Sequence, residues 1–127
     1  MKIKVTVTII LASALLSVSA YACSELKTLS ERLACQKSEE AVSKSKVLKT
    51  YSELLDYLND VKEYQSQIKR SQEQWEKSAA LNCDVYAYFV EEGSITHEIT
   101  VSECMTREYK QRESYLMDTR AVVEEFF

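Results

Sequence analysis

The segment CDVYAYFVEEGSITHEITVSEC, residues 83–104, sets the architecture of this chain. Gly93, the chain's one glycine, lies near the middle of the segment, and the chain contains no proline. Glycine adopts the left-handed conformation that ends many helices without steric cost, and a following serine can cap the next helix. We therefore expect two antiparallel helices joined at Gly93, with Cys83 and Cys104 each about 15 Å from the turn.

A first helix is expected upstream of this hairpin, because the chain almost lacks residues that interrupt helices. Thr28-Leu29-Ser30-Glu31 matches a capping box, so this helix should begin at Thr28. The turn-forming pair Asn59-Asp60 should end it, and Asp60 with Glu63 should cap the second helix by the same reciprocal pattern. A continuous helix through Asn59-Asp60 is the alternative.

The second helix should continue through Tyr86 and Phe89 toward Gly93, and the third should follow Ser94. β-branched residues are frequent at 95–101, so a short strand is the alternative there, but it would have no partner strand. Helix is therefore preferred for this stretch.

Apolar residues recur at helical spacing in all three segments, which predicts one buried face on each helix. Gln36, Glu40 and Lys44 interrupt the first face, so that part of the helix is expected to be partly exposed. The fold class is thus all-α, with three main helices in an antiparallel bundle. The predicted core consists of Leu33, Val47, Tyr51, Leu54, Leu55, Leu58, Val61, Tyr64, Ile68, Trp75, Ala79, Ile95, Ile99, Met105, Tyr109, Leu116 and Val123.

Four cysteines in a small chain whose first 22 residues resemble a secretory signal are typical of two structural disulfides. The hairpin favours Cys83–Cys104, which leaves Cys23–Cys35. Because Cys35 and Cys83 are also nearly equidistant from Asn59-Asp60, Cys35–Cys83 with Cys23–Cys104 is the alternative. A metal or redox site does not fit, since no two cysteines lie within four residues of each other.

Residues 1–22 have the pattern of a secretory signal peptide. Lys2 and Lys4 precede an apolar run that is too short for a confident membrane span, and small residues follow at Ser19, Ala20 and Ala22. We expect residues 23–127 to form a single domain in the periplasm, or outside the cell, of a Gram-negative bacterium. Lipidation of Cys23 is disfavoured, because it would leave three thiols.

The charge balance points to a basic protein as partner. Without residues 1–22 the chain has 14 basic and 20 acidic side chains and a formal net charge of −6. Such a surface repels nucleic acids and anionic membranes and attracts cationic proteins. The sequence does not predict an oligomeric state.

Catalytic chemistry is hard to build from this sequence. His97 is the one histidine, and no nucleophile elbow or phosphate-binding loop accompanies it. The many carboxylates are typical of solvated helix faces. We therefore expect a protein that binds without catalysis, with no cofactor and no metal.

The densest group of aromatic residues lies beside the Gly93 turn, and such rings are enriched at protein interfaces. Two acidic residues and a serine adjoin it. The predicted partner-binding residues are Tyr86, Tyr88, Phe89, Glu91, Glu92, Gly93 and Ser94.

Taken in order, these motifs resemble the amino-terminal domain of the LprI-type lysozyme inhibitors, a family of small exported bacterial proteins with four cysteines. The resemblance covers roughly Cys23 to Leu116. Ala79 stands where the family usually has an arginine, Glu92 replaces the first glycine of its turn, and 45–49 departs from its Asp-x-x-Leu-Asn segment. Besides the cysteines, the residues that carry the resemblance are Thr28, Glu31, Trp75, Gly93, Arg112 and Leu116.

The resemblance implies a lysozyme inhibitor that acts by occluding its enzyme. The alternatives are a periplasmic immunity protein against a cell-wall-degrading toxin and an envelope structural or assembly factor. All three are binding functions.

Overall fold

The computed structural model describes residues 23–127, and they form three long helices. α1 spans Leu29–Tyr57, α2 spans Lys62–Tyr86 and α3 spans Ile95–Glu124. The predicted all-α bundle is confirmed, and the alternative strand at 95–101 is not formed. The predicted signal peptide lies outside the described residues.

Contacts between side chains fix the directions of the helices. Gln36 contacts Thr106, and Glu53 contacts Arg120, so α1 and α3 run parallel. α2 runs antiparallel to both, and α3 packs against α1 and α2. The result is an up-down-up bundle with the α2–α3 loop at one end and the α1–α2 loop at the other. No helix within 23–127 is both long and apolar enough to cross a bilayer.

α1 begins where the capping box predicts. The Thr28 hydroxyl accepts a hydrogen bond from the Glu31 N–H at 3.1 Å, and the Glu31 carboxylate accepts one from the Thr28 N–H at 3.1 Å. Two N–H groups that the helix leaves unpaired are thereby satisfied. Thr28 and Glu31, which the resemblance singles out, act here as a helix start.

The break after α1 is confirmed, but the predicted cap of α2 is wrong. α1 ends at Tyr57, and the N-cap of α2 is Val61, with no side-chain cap. The Val61 N–H donates to the Leu58 carbonyl at 2.9 Å, which closes a tight turn. Asp60 lies inside this turn, so it does not hold the cap position.

α2 also ends earlier than predicted, at Tyr86 rather than near Gly93. Aromatic and β-branched residues follow, and then Glu91 and Glu92, whose negative charges oppose the negative end of a helix dipole. The Ala87 N–H caps the helix by donating to the Cys83 carbonyl at 3.0 Å. Gly93 has φ +80°, as a left-handed residue should, but it belongs to a separate turn that leads into α3.

The core lies in the half of the bundle that is distant from the α2–α3 loop. Its rings are Tyr51, Tyr64, Trp75 and Tyr109, which pack around buried aliphatic residues. The prediction that Ile95 belongs to the core is wrong, since this residue is exposed at the first position of α3. The buried aliphatic members of the cluster are Val47, Leu54, Leu58, Ile68, Leu116 and Val123.

A polar layer replaces the apolar core in the first part of α1. Gln36 is buried, and its amide donates to the Thr106 hydroxyl at 3.0 Å. One turn further along, the Ser102 hydroxyl donates to the Glu40 carboxylate at 2.6 Å. The thin apolar stripe of α1 therefore reflects a hydrogen-bonded interface with α3. The stretch is partly exposed, as expected, since Lys44 is exposed and Glu40 is half-buried, but Gln36 is buried.

Both favoured disulfides are present, and the crossed pairing is wrong. Cys23 is bonded to Cys35, and Cys83 to Cys104, each with Cα atoms 5.5 Å apart. The first bridge holds the amino-terminal segment on α1, and the second joins α2 to α3 below their loop. Because a disulfide sulfur cannot also carry a lipid, the Cys23 bridge argues against lipidation.

Candidate partner-binding surface

The α2–α3 loop, residues 87–94, is ordered by short-range hydrogen bonds. The Val90 N–H donates to the Ala87 carbonyl at 2.9 Å, and the Ser94 N–H donates to the Glu91 carbonyl at 3.2 Å. The second turn places Gly93 at the position where a type II turn needs positive φ. The loop is therefore two successive turns with fixed backbone geometry.

Ser94 connects the loop to α3. Its hydroxyl donates to the Glu91 carbonyl at 2.7 Å and accepts from the His97 N–H at 3.0 Å. The same side chain thus closes the turn and caps the helix. His97 supplies only a backbone contact here and lies half-buried on the first turn of α3.

The structure brings the predicted partner-binding residues together at this end of the bundle. Tyr86, Tyr88 and Phe89 are exposed, and Phe89 is the most exposed of the large apolar side chains at 97%. The rings of Tyr88 and Phe89 meet edge to face, 5.2 Å apart. Glu91, Glu92 and Gly93 are exposed beside them, and Ser94 is partly buried. We call residues 86–94 the tip.

The tip rests on a rigid base. Ala87 is fully buried, and one turn earlier Cys83 is bonded to Cys104. The guanidinium of Arg107 lies over the Tyr86 ring at 4.6 Å, which is a cation–π contact between α3 and the end of α2. These contacts fix the base of the tip and the Tyr86 ring, and the exposed rings of Tyr88 and Phe89, which contact each other, project from that base.

Almost all of the net charge of the described chain lies at this end. From Ser78 to Thr106 there is no lysine or arginine, and there are five acidic residues, all exposed. Residues 23–32, at the same end of the bundle, have no net charge, because they contain two acidic and two basic side chains. Five of the six net negative charges of residues 23–127 therefore lie in one contiguous stretch. The acidic residues are Asp84, Glu91, Glu92, Glu98 and Glu103.

Sequence reasoning named the carboxylates of the tip but missed this segregation of charge. The signal was available, since 29 consecutive residues without lysine or arginine are unusual in a chain with 16 Lys and Arg. Only the folded arrangement, however, puts Asp84 on α2 and Glu98 and Glu103 on α3 at the same end of the bundle.

Trp75 and Arg112, which also carry the resemblance, lie away from the tip. The Nε of buried Arg112 donates to the amide oxygen of Gln72 at 2.9 Å, and its guanidinium lies over the Trp75 ring at 5.5 Å. Burial lowers the pKa of Arg112, while Tyr115 and Glu76 act in the opposite direction. These residues join α2 to α3, so their contacts are structural.

The described residues offer no arrangement for metal chemistry, because no three His, Cys, Asp or Glu side chains of 23–127 converge on one point. Every buried side-chain nitrogen and oxygen in this part of the chain has a hydrogen-bond partner. The buried polar groups of residues 23–127 therefore satisfy one another within the bundle.

Comparison with known proteins agrees with this architecture. The chain is similar in fold to a DUF1311 family protein from Pseudomonas putida KT2440, with a TM-score of 0.66 and 21% sequence identity. The similarity covers 69% of this chain and 89% of that one. No curated protein matches the sequence. The profile of the family described as lysozyme inhibitor LprI matches residues 20–116. Since this match covers most of the sequence, the chain belongs to the lysozyme inhibitor LprI family.

Proposed function

We propose that the protein is an exported inhibitor of lysozyme, or of a related peptidoglycan hydrolase, and that it acts by laying its tip over the enzyme's substrate cleft. Membership of the LprI family carries this proposal. The tip is the proposed contact surface, because its exposed aromatic rings stand on a base that the Cys83–Cys104 disulfide holds together.

The charge distribution supports a cationic enzyme as the partner. Complementary charges speed the encounter of two proteins and orient them before contact. The acidic end would turn toward a basic enzyme, and this would bring Tyr88 and Phe89 to its surface first. An inhibitor that covers the enzyme's cleft needs no catalytic group of its own. The buried polar residues described above stabilise the helix bundle, which is consistent with such a role.

A turbidity assay tests the proposal. The oxidised protein, residues 23–127, is mixed with a cationic c-type lysozyme, and the clearing of a bacterial cell-wall suspension is followed at low ionic strength. The wild type should slow clearing in proportion to its concentration. The variant Glu91→Lys/Glu92→Lys should inhibit at least tenfold more weakly, because it reverses two charges at the tip.

The control is Asp118→Lys/Glu125→Lys, which makes the same change of net charge on the far half of α3 and at its C-cap. Asp118 lies roughly 36 Å along α3 from Ser94. This variant should inhibit like the wild type if the tip is the contact. Clearing at full rate with the wild type present contradicts the proposed function, and equal loss in both variants contradicts the assignment to the tip.

A further inference from the structure

Four large apolar side chains form one exposed ridge along the end of α2 and into the tip. Leu81, Val85, Tyr88 and Phe89 are 64%, 68%, 77% and 97% exposed. Leu81 and Val85 are four residues apart on one face of the helix. The Tyr88 N–H donates to the Val85 carbonyl at 3.3 Å, so a turn directly after α2 places the paired rings next to Val85.

The ridge has no role in packing this bundle. The buried face of the same part of α2 is formed by Ala79, Cys83 and Ala87. Leu81 is two residues from Ala79 and from Cys83, which is about 200° around a helix, so the ridge lies on the opposite side. Contiguous apolar surface of this kind, rimmed by polar groups, is typical of interaction sites.

The rim of the ridge is acidic. Asp84 lies between Leu81 and Tyr88 at spacings of three and four residues, which makes it a surface neighbour of both. Glu91 and Glu92 continue the rim beyond Phe89. Lys77, one helical turn before Leu81, and Arg107, over the Tyr86 ring, are the basic neighbours, so the rim is acidic on balance. An apolar centre with a mainly acidic rim favours a partner with an apolar depression and a basic border.

We propose that this ridge is the apolar centre of the surface that docks the enzyme, and that it inserts into the cleft of a cationic lysozyme-type hydrolase. This inference rests on the proposed function and extends its site from the tip onto the outer face of α2. The two rings alone would bring roughly 300–500 Å² of contact area. A standard interface takes about 800 Å² from each partner, so the ridge fills its centre and the acidic residues supply the rim.

Centre and rim affect different rate constants. A desolvated apolar centre governs how slowly the complex dissociates, whereas exposed charges at the rim govern how fast it forms and how strongly salt slows its formation. Leu81 and Val85 should therefore set the dissociation rate, and Asp84 the association rate.

Binding kinetics on immobilised c-type lysozyme test this division. Leu81→Ser/Val85→Ser should raise the dissociation rate constant at least tenfold and change the association rate constant less than twofold. Asp84→Lys should lower association severalfold and flatten its dependence on salt. The matched control is Val42→Ser/Val122→Ser, which alters two half-exposed valines on α1 and α3 and should bind like the wild type.

The outcomes separate the two proposals. If the wild type does not bind lysozyme, the proposed function is wrong and this inference falls with it. If the wild type binds and the ridge variant dissociates at the wild-type rate, the inference alone is wrong. If size exclusion shows a dimer that Leu81→Ser/Val85→Ser abolishes while lysozyme binding is unchanged, the ridge belongs to a second copy of this chain, which also overturns it. Circular dichroism of each variant confirms that the helices remain intact.

Discussion

Arg112 donates a hydrogen bond from its Nε to the amide oxygen of Gln72 at 2.9 Å, and both side chains are buried. The second contact of the guanidinium is with the Ser71 hydroxyl at 3.1 Å, and its planar face lies near Trp75. A charge held between two helices is stable only while its partners remain, because a buried unpaired charge costs far more than a surface one.

Replacing Gln72 tests this relationship. Gln72→Leu keeps the size of the side chain but removes the acceptor, so we expect it to lower the free energy of unfolding by about 2 kcal/mol. Gln74→Leu, on the exposed side of the same helix, should change it little. The double variant Gln72→Leu/Arg112→Met should recover part of the loss, since it removes the charge as well. Urea unfolding measures all three, and equal stability of Gln72→Leu and wild type would contradict the role of the pair.

The two disulfides should differ in what their removal does. Each closes a loop whose entropy predicts a loss of about 3 kcal/mol on removal. Cys83→Ala/Cys104→Ala should also weaken lysozyme inhibition, because this bridge holds the base of the tip. Cys23→Ala/Cys35→Ala should lower stability and leave inhibition by the folded fraction unchanged. Urea unfolding and the turbidity assay separate these effects, and identical inhibition by both variants would show that the bridge does not support the tip.

Substitution of Gly93 should lower the stability of the fold only through the backbone conformation of this residue. Its φ is +80°, and apart from Gly93 and its two chain neighbours no heavy atom lies within 4 Å of where a Cβ would be placed. Gly93→Ala should therefore cost about 1 kcal/mol through strain, and Gly93→Asn less, because asparagine tolerates the left-handed region. Thermal unfolding measures the difference, with Glu92→Ala as the control. A loss in Gly93→Asn as large as that in Gly93→Ala would argue for a cause other than backbone strain.

Partly buried tyrosines should make the fold sensitive to alkali. Burial is the main cause that raises the pKa of Tyr109, and Glu40 and Glu76 raise it further. Burial also raises the pKa of Tyr51. The folded state thus keeps these protons more tightly than the unfolded chain does. Their contribution to stability is complete below about pH 10 and is lost as the pH rises through the raised pKa values.

Urea unfolding at pH 8, 10 and 11 measures this decline. Tyr109→Phe cannot ionise and should lose less stability over that range than the wild type does. Tyr88→Phe alters an exposed ring and should decline like the wild type. If the free energy of unfolding falls equally with pH in the wild type and in Tyr109→Phe, the Tyr109 ring does not contribute to the pH dependence of stability.

Cleavage of the signal peptide and formation of both disulfides can be measured from the intact mass of the protein. Protein recovered from the envelope of a Gram-negative host should begin at Tyr21 or Cys23 and should be four hydrogens lighter than its reduced form, because two bridges are closed. An added acyl mass on Cys23, or an uncleaved amino terminus, would contradict this expectation. The same sample, digested without reduction, should yield Cys23 linked to Cys35.

Sequence reasoning succeeded where the physical signal is local. The Thr28 cap, the Ser94 cap and the left-handed Gly93 depend on residues within four positions of each other. The Cys83–Cys104 bridge followed from distances along the two helices that meet at the Gly93 turn, and Cys23–Cys35 was then the remaining pair. The ends of α2 were placed less well, because several weak helix formers compete there and a tight turn at Leu58–Val61 displaced the predicted cap.

The sequence by itself determined three helices, their principal caps and the acidic, aromatic character of residues 78–106. Only the tertiary structure decided that Gln36 and Arg112 are buried with partners, and that Leu81 and Val85 face solvent beside Tyr88 and Phe89. The periodicity of a sequence reports which residues share a side of one helix. The rotation and register between helices decide which side is covered, and they arise from packing contacts between residues far apart in the chain.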